Sequence, residues 1–301
     1  ARTGEIDVAV IQSLQRKGVV QDFVAEYGQV IVDECHHLSA FTFEQVLKQA
    51  KARYVVGLTA TPFRKDGHHP IIFMQCGPIR FNLSARKAAE SAVFEHRVVP
   101  RYTEFNPTSP DGEATIQDLY AAMVTDGPRN DLIACDLIET LQSGRSPLLL
   151  TGRTDHLEQF AARLSTATPN VFILRGGMGR KQRRAAMESI AAVPEGEPRV
   201  ILATGSYIGE GFDDARLDTL FLAMPVSWKG TLQQYVGRLH RIHHNKKEVR
   251  VYDYVDAHVP MLARMFKKRL AGYEASGYSV TWSADETSFR PRPSPIIAAP
   301  E

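Results

Sequence analysis

The stretch Val30-Ile31-Val32-Asp33-Glu34-Cys35-His36-His37 sets two adjacent carboxylates directly after a short run of β-branched residues. Such a run predicts a strand, and ligands of parallel α/β sheets bind at the carboxyl ends of the strands. Hydrolysis of a phosphoanhydride needs one carboxylate that holds Mg²⁺ through water and a second that orients the attacking water. Asp33 suits the first role and Glu34 the second. A strand that ends in acidic turn residues is also common, so an ordinary loop is the other interpretation.

The sequence on both sides of this stretch alternates short β-branched runs with helical patterns, which indicates parallel α/β sheets. In the first series we predict strands at 8–11, 30–32 and 54–58, and helical stretches around 21–27 and 41–51. In the second we predict strands at 148–150, 171–174, 200–202, 220–222 and 249–252, and helices at 129–143, 154–165, 180–192, 230–238 and 260–273.

The domain organisation follows from a break in this alternation near residue 85, after which a stretch rich in Pro, Asp and Gly appears. We predict that 1–85 is the C-terminal part of a first α/β domain whose beginning is missing. Residues 86–128 are expected to be a linker or excursion, 129–260 a complete second domain, and 261–301 a C-terminal helix with a flexible tail.

The composition excludes several classes of protein. The chain has 301 residues, 44% of them apolar, which is enough to build cores and excludes global disorder. No apolar run approaches the ~20 residues of a membrane-spanning helix. Three widely spaced cysteines form no CxxC pair, so a zinc ribbon or disulfide framework is not expected and a reducing cytoplasm is favoured. The net charge of +2 is too small to indicate nucleic acid by itself.

Three further segments carry polar groups where predicted strands end. Thr59-Ala60-Thr61 can relay a hydrogen bond beside the acidic pair. The glycine-containing loop 204–213 offers a hydroxyl at Thr204 and a carboxylate at Asp213. In Gln234-Tyr235-Val236-Gly237-Arg238-Leu239-His240-Arg241 the two arginines are three residues apart and share a helix face, where they can grip polyphosphate oxygens. Two arginines at this spacing more often form a basic helix face that is simply exposed to solvent.

Together these motifs resemble those of superfamily 2 helicases and translocases. DECH (33–36) is similar to motif II of that family, 59–61 to motif III, 204–213 to motif V, and 234–241 to motif VI, QxxGRxxR. Residues 8–14 resemble motif Ib and 150–154 motif IV. Within the superfamily, the combination resembles XPB-like helicases and the Res subunits of type III restriction enzymes. The resemblance implies two RecA-like parallel-sheet domains in tandem, the first N-terminally truncated.

The resemblance also implies roles for individual residues. Asp33 would hold Mg²⁺ through water, Glu34 would be the catalytic base, and Arg238 and Arg241 would stabilise charge on the transferring phosphate of ATP. Residues implied to bind ATP or to couple its site to nucleic acid are His36, Thr59, Thr61, Gly211, Asp213 and Gln234. Residues implied to track the nucleic-acid backbone are Gln12, Ser13, Thr151, Arg153, Gly176 and Thr204.

The sequence departs from the family pattern at one point. A motor of this kind needs a Walker A loop, GxxxxGK[ST], and the sequence contains no Gly-Lys dipeptide. We expect that loop to lie upstream of Ala1, and we expect the 301 residues alone to be inactive as an ATPase.

The sequence therefore predicts an ATP- and Mg²⁺-dependent helicase or translocase, with DNA favoured over RNA. We further predict a role in restriction or DNA processing, with a nuclease or methyltransferase domain or subunit as partner. The protein is expected to be a cytoplasmic monomer without membrane contact. The alternative is a module of the same fold that binds nucleic acid or a partner without hydrolysis. A dehydrogenase is disfavoured because no GxGxxG follows any predicted strand.

Two other groups of charged residues receive ordinary interpretations. The pair His243-His244 has no ligand partner at zinc spacing, so loop polarity is the better explanation. Arg264, Lys267, Lys268 and Arg269 are expected to form a solvated face of the last helix.

Overall fold

The computed structural model describes residues 3–16, 18–36, 41–59, 69–82, 94–107, 115–208, 212–226 and 232–282. The chain divides into two compact units, Ala1–Asn82 and Leu83–Glu301. Within the described residues, none of the helices has the length and apolar character needed to cross a bilayer.

The first unit is a small α/β assembly. Its strands are β1 (Gln15–Arg16), β2 (Val19–Val20), β3 (Gln29–Val32) and β4 (Tyr54–Gly57), its helices α1 (Phe41–Gln49) and α2 (His69–Cys76), and its 3-10 helices Ile11–Leu14 and Asp22–Glu26. Strands β1 and β2 form an antiparallel pair, whereas β3 and β4 are parallel. The strands predicted at 30–32 and 54–58 are therefore present.

The strand predicted at 8–11 is wrong. Residues 7–10 have no regular secondary structure, and a 3-10 helix begins at Ile11. The Val8 side chain is 98% exposed and that of Val10 is 68% exposed. β-Branched residues favour a strand only where a neighbouring strand can pair with them, and none of the described strands lies beside this segment.

The second unit is built on a larger sheet. Its strands are β5 (Glu95–Tyr102), β6 (Pro147–Thr151), β7 (Val171–Leu174), β8 (Val200–Thr204), β9 (Thr219–Leu222), β10 (Glu248–Val255) and β11 (Ser279–Val280). Its helices are α3 (Ile116–Thr125), α4 (Gly127–Gln142), α5 (Thr154–Leu164), α6 (Arg180–Ala192), α7 (Gly205–Ile208), α8 (Gln233–Leu239) and α9 (Pro260–Ala275).

These strands form one seven-stranded sheet in the order β11-β5-β10-β9-β6-β8-β7, and all its pairings are parallel. The central strands β6, β8 and β9 are buried along their whole length, as expected where helices cover both faces of a parallel sheet. Their continuous apolar runs explain why the sequence predicted them correctly.

Helices of this unit bury an apolar stripe, and two of them, α3 and α4, begin at a side-chain cap. Helix α5 buries Leu157, Phe160 and Leu164, which recur at helical spacing. Helix α4 begins after Asp126, whose Oδ1 accepts a hydrogen bond from Arg129 N–H at 2.9 Å. The α/β architecture predicted from the sequence is confirmed.

The segment 86–128, predicted as a linker or excursion, is structured over part of its length. Strand β5 pairs with β10 over eight residues in the interior of the sheet, and α3 packs on the unit with Leu119 and Met123 buried. Charged residues and Pro100 within β5 hid this strand, because a proline is rare in a paired strand. Of the predicted C-terminal region, α9 and β11 are described, and the residues after 282 lie outside the described part of the chain.

Candidate nucleotide and nucleic-acid sites

The acidic pair of the first unit follows β3 where it lies beside β4. Val32 is opposite Gly57, and the hydrogen-bonding ladder continues past both strands. Leu58 N–H donates to the Val32 carbonyl at 2.9 Å, and Cys35 N–H donates to the Leu58 carbonyl at 2.9 Å. The carboxyl ends of the two strands therefore hold residues 33–36 against Thr59.

Within this strand end, His36 links Glu34 to Thr59. The His36 Nδ1 atom lies 3.1 Å from Glu34 Oε2 and 3.0 Å from Thr59 Oγ1. Glu34 has a φ of +49°, in the left-handed region that a non-glycine residue enters at a cost of about 1–3 kcal/mol. Such strain clusters at functional sites. Thr61 and His37 lie outside the described residues.

The backbone beneath Glu34 rests on a tightly packed sulfur pair. Cys35 is buried with Val32, Leu47 and Ile72, and Cys76 packs against this cluster. A Cβ atom on Gly57 would lie 2.9 Å from the sulfur atoms of both Cys35 and Cys76, closer than real contacts of this kind. Only glycine therefore fits at this position without a shift in the packing beside the acidic pair.

The two carboxylates are chemically suited to a hard cation. Asp33 and Glu34 are exposed at the surface of the unit, and within the described ranges neither forms an ion pair with Lys or Arg. Asp33 Oδ1 accepts the Glu34 N–H at 2.9 Å, which leaves its other carboxylate oxygen available. Carboxylate oxygens at the end of a strand fit a partly hydrated Mg²⁺.

In the second unit, three predicted backbone-contacting residues lie in one row. Thr151 and Thr204 end β6 and β8 and are opposite each other in the ladder. Gly176, which follows β7, donates its N–H to Thr204 Oγ1 at 3.2 Å. Arg153 lies nearby in sequence, half-exposed, with its guanidinium on Asp155 at 2.8 Å.

The hydroxyl of Thr151 is used internally. It lies 3.1 Å from Nδ1 of the fully buried His156, whose Nε2 is 2.9 Å from Asn130 Oδ1. Burial lowers the pKa of His156 to about 3, so the ring is neutral, and its Nε2–H donates to the amide oxygen. Nδ1 must then accept from Thr151. Arg153, and not Thr151, presents its polar group to solvent.

The predicted arginines lie on α8 and just after it. Arg241 Nε is 3.1 Å from Asp213 Oδ1, and both side chains are more than half exposed. Arg238 is half-buried on α8. Asp213 is one of the residues implied above to bind ATP or to couple its site to nucleic acid, and its ion-pair partner in this structure is Arg241. Gly211 and the side chain of Gln234 lie outside the described part of the chain.

The end of α8 is held by Lys246, which is buried. Its ammonium donates to the carbonyls of Leu239 and Arg241, each at 2.8 Å. Burial lowers the pKa of Lys246 to about 8. This lysine satisfies carbonyls at the end of the helix and fixes the backbone of Arg241. None of the motifs identified in the sequence includes this lysine.

The beginning of α7 packs directly against α8. A Cβ atom on Gly205 would overlap the hydroxyl of Tyr235. Tyr235 is buried, so it cannot move to solvent. The glycine after β8 therefore allows α8 to approach the strand end that carries Thr204.

The remaining predicted residues of the first unit lie at its surface. Gln12 and Ser13 are exposed in the 3-10 helix Ile11–Leu14, and the Ser13 hydroxyl donates to the Val10 carbonyl at 2.6 Å.

The solvated face predicted for the last helix is wrong at Arg269. This residue is buried and forms a two-bond pair with Asp253, at 2.8 Å for Nε to Oδ2 and 2.8 Å for Nη2 to Oδ1. A second buried pair, Arg129 with Asp256 at 2.8 Å, was not predicted. Both partners are distant in sequence, so no local pattern could have revealed either pair.

Comparison with protein families matches two parts of the chain. Residues 1–64 match the family "Type III restriction enzyme, res subunit", and residues 130–243 match the family "Helicase conserved C-terminal domain". The second match includes 234–241, and the first includes the DECH motif.

Among individual proteins, the chain is 25% identical over 286 residues to a protein named as an ATP-dependent RNA helicase, L396, of Acanthamoeba polyphaga mimivirus. That match covers 91% of this chain and 52% of the relative. A match to a protein named as helicase D10 of Escherichia phage T5, 26% identical, covers 88% of this chain and 56% of the relative. The chain thus spans about half the length of these relatives.

Two solved structures share the fold. A fragment named as an HsdR subunit of a type I restriction enzyme from Vibrio vulnificus has a TM-score of 0.61 at 17% identity, covering 85% of this chain and 48% of that one. Dbp5 of S. cerevisiae bound to RNA and ADP BeF3 has a TM-score of 0.56 at 13% identity, covering 87% and 61%.

The motifs, the two family matches and the shared fold identify the chain as a member of the superfamily 2 helicases. Within that class it is related to the res subunits of type III restriction enzymes.

Proposed function

We propose that the full-length protein is an ATP-driven helicase or translocase that moves along nucleic acid. The observation that carries this proposal is the contact of Glu34 with His36 and of His36 with Thr59, beside the exposed carboxylate of Asp33. This arrangement gives one carboxylate for a metal and one for water, together with a hydrogen-bonded path away from them.

In this proposal Glu34 orients a water molecule and accepts its proton as the water oxygen bonds to the γ-phosphorus. The bond from that phosphorus to the β–γ bridging oxygen breaks, and ADP and phosphate leave. Arg238 and Arg241 stabilise charge on the phosphate oxygens. Mg²⁺ bound by Asp33 would neutralise part of the phosphate charge. Asp213 pairs with the Arg241 guanidinium until the phosphate of ATP takes the place of the Asp213 carboxylate.

Nucleic acid would be bound through its backbone. The Gly176 N–H and the guanidinium of Arg153 are donors that suit phosphate, as are the polar groups of Gln12 and Ser13. We therefore expect binding with little sequence preference and with a strong dependence on salt. DNA is favoured by the res-subunit match, whereas the L396 relative is named for RNA.

These 301 residues alone are expected not to turn over ATP at a useful rate. The sequence has no Gly-Lys dipeptide that could form a Walker A loop. In addition, Ile31, Tyr54 and Val56 on β3 and β4 are 39–60% exposed, although apolar residues on paired strands are usually covered. We propose that further chain supplies both the phosphate loop and the cover for this surface. A nuclease or methyltransferase partner, a monomeric state and a cytoplasmic location belong to the same proposal.

A module that binds nucleic acid without hydrolysis is the second candidate, favoured by the lack of a Gly-Lys dipeptide in the sequence. The motor and the binding module are distinguished by the affinity of the full-length protein for labelled single-stranded DNA and RNA, measured by fluorescence anisotropy. The measurement is made once with ADP and once with a non-hydrolysable ATP analogue. A motor changes its affinity between the two nucleotide states, because its grip must alternate. Equal affinity in both states would support the binding module.

A further inference from the structure

The histidine pair interpreted above as loop polarity has a carboxylate opposite it in the second unit. His243 Nε2 lies 3.4 Å from Glu195 Oε1, and His244 Nε2 lies 3.5 Å from Glu195 Oε2. One donor atom from each residue lies within 4.8 Å of the others. Glu195 is far from the histidines in sequence, so the spacing of the pair could not reveal this partner.

Each side of the cluster is carried by a tight turn. Glu197 N–H donates to the Pro194 carbonyl at 3.3 Å, and Gly196 has the positive φ, +88°, that the third position of a type II turn needs. On the other side, Lys246 N–H donates to the His243 carbonyl at 3.0 Å. The two turns fix the backbone positions from which the three side chains project.

Both turns are anchored in the core beneath them. Lys246 is buried, with its ammonium on the carbonyls of Leu239 and Arg241. Arg199, close after the first turn, is buried with its Nη1 at 2.7 Å from Asp214 Oδ2. The backbone on either side of the cluster is therefore held by the buried side chains of Lys246 and Arg199, whereas the side chains of Glu195 and His244 are mostly exposed.

The cations near Glu195 have closer partners. Arg216, whose charge Glu195 also favours, donates to the carbonyls of Val193 at 2.7 Å and Ile190 at 2.8 Å. Arg145 pairs with Asp218 at 3.6 Å, and Lys246 is held by the two carbonyls. In the described portion of the chain, the ion pairs of Glu195 are with the two histidines alone. Two imidazoles and a carboxylate thus converge with no Lys or Arg between them.

We propose that Glu195, His243 and His244 bind one divalent transition-metal ion of the zinc class. Tetrahedral zinc with ligands at ~2.0–2.1 Å places neighbouring donors roughly 3.3–3.4 Å apart. Each histidine nitrogen lies at about this distance from one of the two Glu195 oxygens, at 3.4 Å from Oε1 and 3.5 Å from Oε2. Imidazole and carboxylate suit zinc, nickel and copper, whereas magnesium prefers oxygen alone. With no fourth His, Cys, Asp or Glu in the cluster among the described residues, water completes the coordination.

Metal binding requires one particular tautomer of both histidines. Each must bind through Nε2, so its Nδ1 carries the proton. The Asn245 N–H contact to His243 Nδ1 is then given up, but at 3.5 Å that contact is at the limit of a hydrogen bond and costs little. Because a metal ion binds only the neutral imidazole, its binding competes with protons. The bound ion joins the turn before β8 to the turn that follows α8.

The test is a titration of the 301-residue chain with Zn²⁺ by calorimetry, and with Co²⁺ by its visible absorption, at about pH 7.5. We expect one saturable equivalent, with Co²⁺ bands of a four- or five-coordinate ion. Glu195→Gln and His244→Ala should each weaken affinity at least about tenfold, since residues that only orient ligands are already worth ~10–100-fold. Both side chains are exposed, so these variants keep the fold, which thermal unfolding without metal checks.

A matched control is His258→Ala. His258 faces Glu104 at 3.3 Å in the same unit, and the described residues offer no third ligand there, so this variant should keep the one bound equivalent at unchanged affinity. The proposal would be overturned if the wild-type chain shows no saturable metal binding. It would also be overturned if Glu195→Gln and His244→Ala both bind the metal with wild-type affinity.

Discussion

Replacing Gly57 by alanine tests how the acidic pair is supported. The added Cβ would lie 2.9 Å from the sulfur atoms of Cys35 and Cys76 and 3.0 Å from Cys76 Cβ. All three distances fall below an ordinary contact, and the cluster is closed by Val32 and Ile72. Overpacking of a filled core costs about 1–3 kcal/mol, so we expect a loss of that size in the local stability of β3 and β4.

Hydrogen exchange read by mass spectrometry measures this loss in the peptides that contain β3 and β4. A cost of about 1–3 kcal/mol corresponds to roughly 5- to 150-fold faster exchange where local opening governs it. Gly28→Ala is the matched control, because no atom lies within 4 Å of the Cβ it would add. Unchanged exchange in Gly57→Ala, or equal changes in both variants, would refute the packing argument.

Three further variants probe the second unit. Gly205→Ala should lower the free energy of unfolding by about 1–3 kcal/mol in a urea titration, because the new methyl group overlaps buried Tyr235. Arg269→Ala should cost about 3–5 kcal/mol in the same assay, because Asp253 is left buried without its partner. His156→Gln should make stability less sensitive to acid. The folded pKa of about 3 lies below the ~6.5 of the unfolded chain, so this histidine costs up to about 1.4 kcal/mol per pH unit as the pH falls from ~6.5 to 3.

These three predictions have their own controls. Gly127→Ala adds a methyl group in open space and should be nearly neutral, and Lys268→Ala changes an exposed residue on the same helix as Arg269. Equal losses for Arg269→Ala and Lys268→Ala would show that the buried pair contributes nothing. A slope of stability against pH that is the same in His156→Gln and wild type would contradict the assignment of a neutral buried ring.

The strand ends were predictable from sequence because their signals are local. An apolar run followed by Asp33 and Glu34, and another followed by Thr59, needed no knowledge of packing. The same local reasoning failed at 8–11, where β-branched residues have no neighbouring strand among the described elements. It also failed at β5, where Pro100 and charged residues lie inside a strand of the central sheet.

Several contacts of buried polar groups were not predictable, because they depend on how the helices and turns pack and not on a sequence motif. Arg269 was assigned to solvent with its charged neighbours on α9, and only the packing of that helix brings it onto Asp253. Thr151 was expected at a phosphate, yet the buried ring of His156 takes its hydroxyl. Lys246 lies outside the motifs of the sequence, yet it is buried and donates to the Arg241 carbonyl.

The most direct test of the helicase proposal is ATP hydrolysis by the full-length protein, with and without single-stranded and duplex DNA or RNA. We predict hydrolysis that nucleic acid stimulates and that Glu34→Gln abolishes while ATP binding is kept. A folded protein that binds ATP and nucleic acid but does not hydrolyse ATP, or a Glu34→Gln variant as active as wild type, would contradict it.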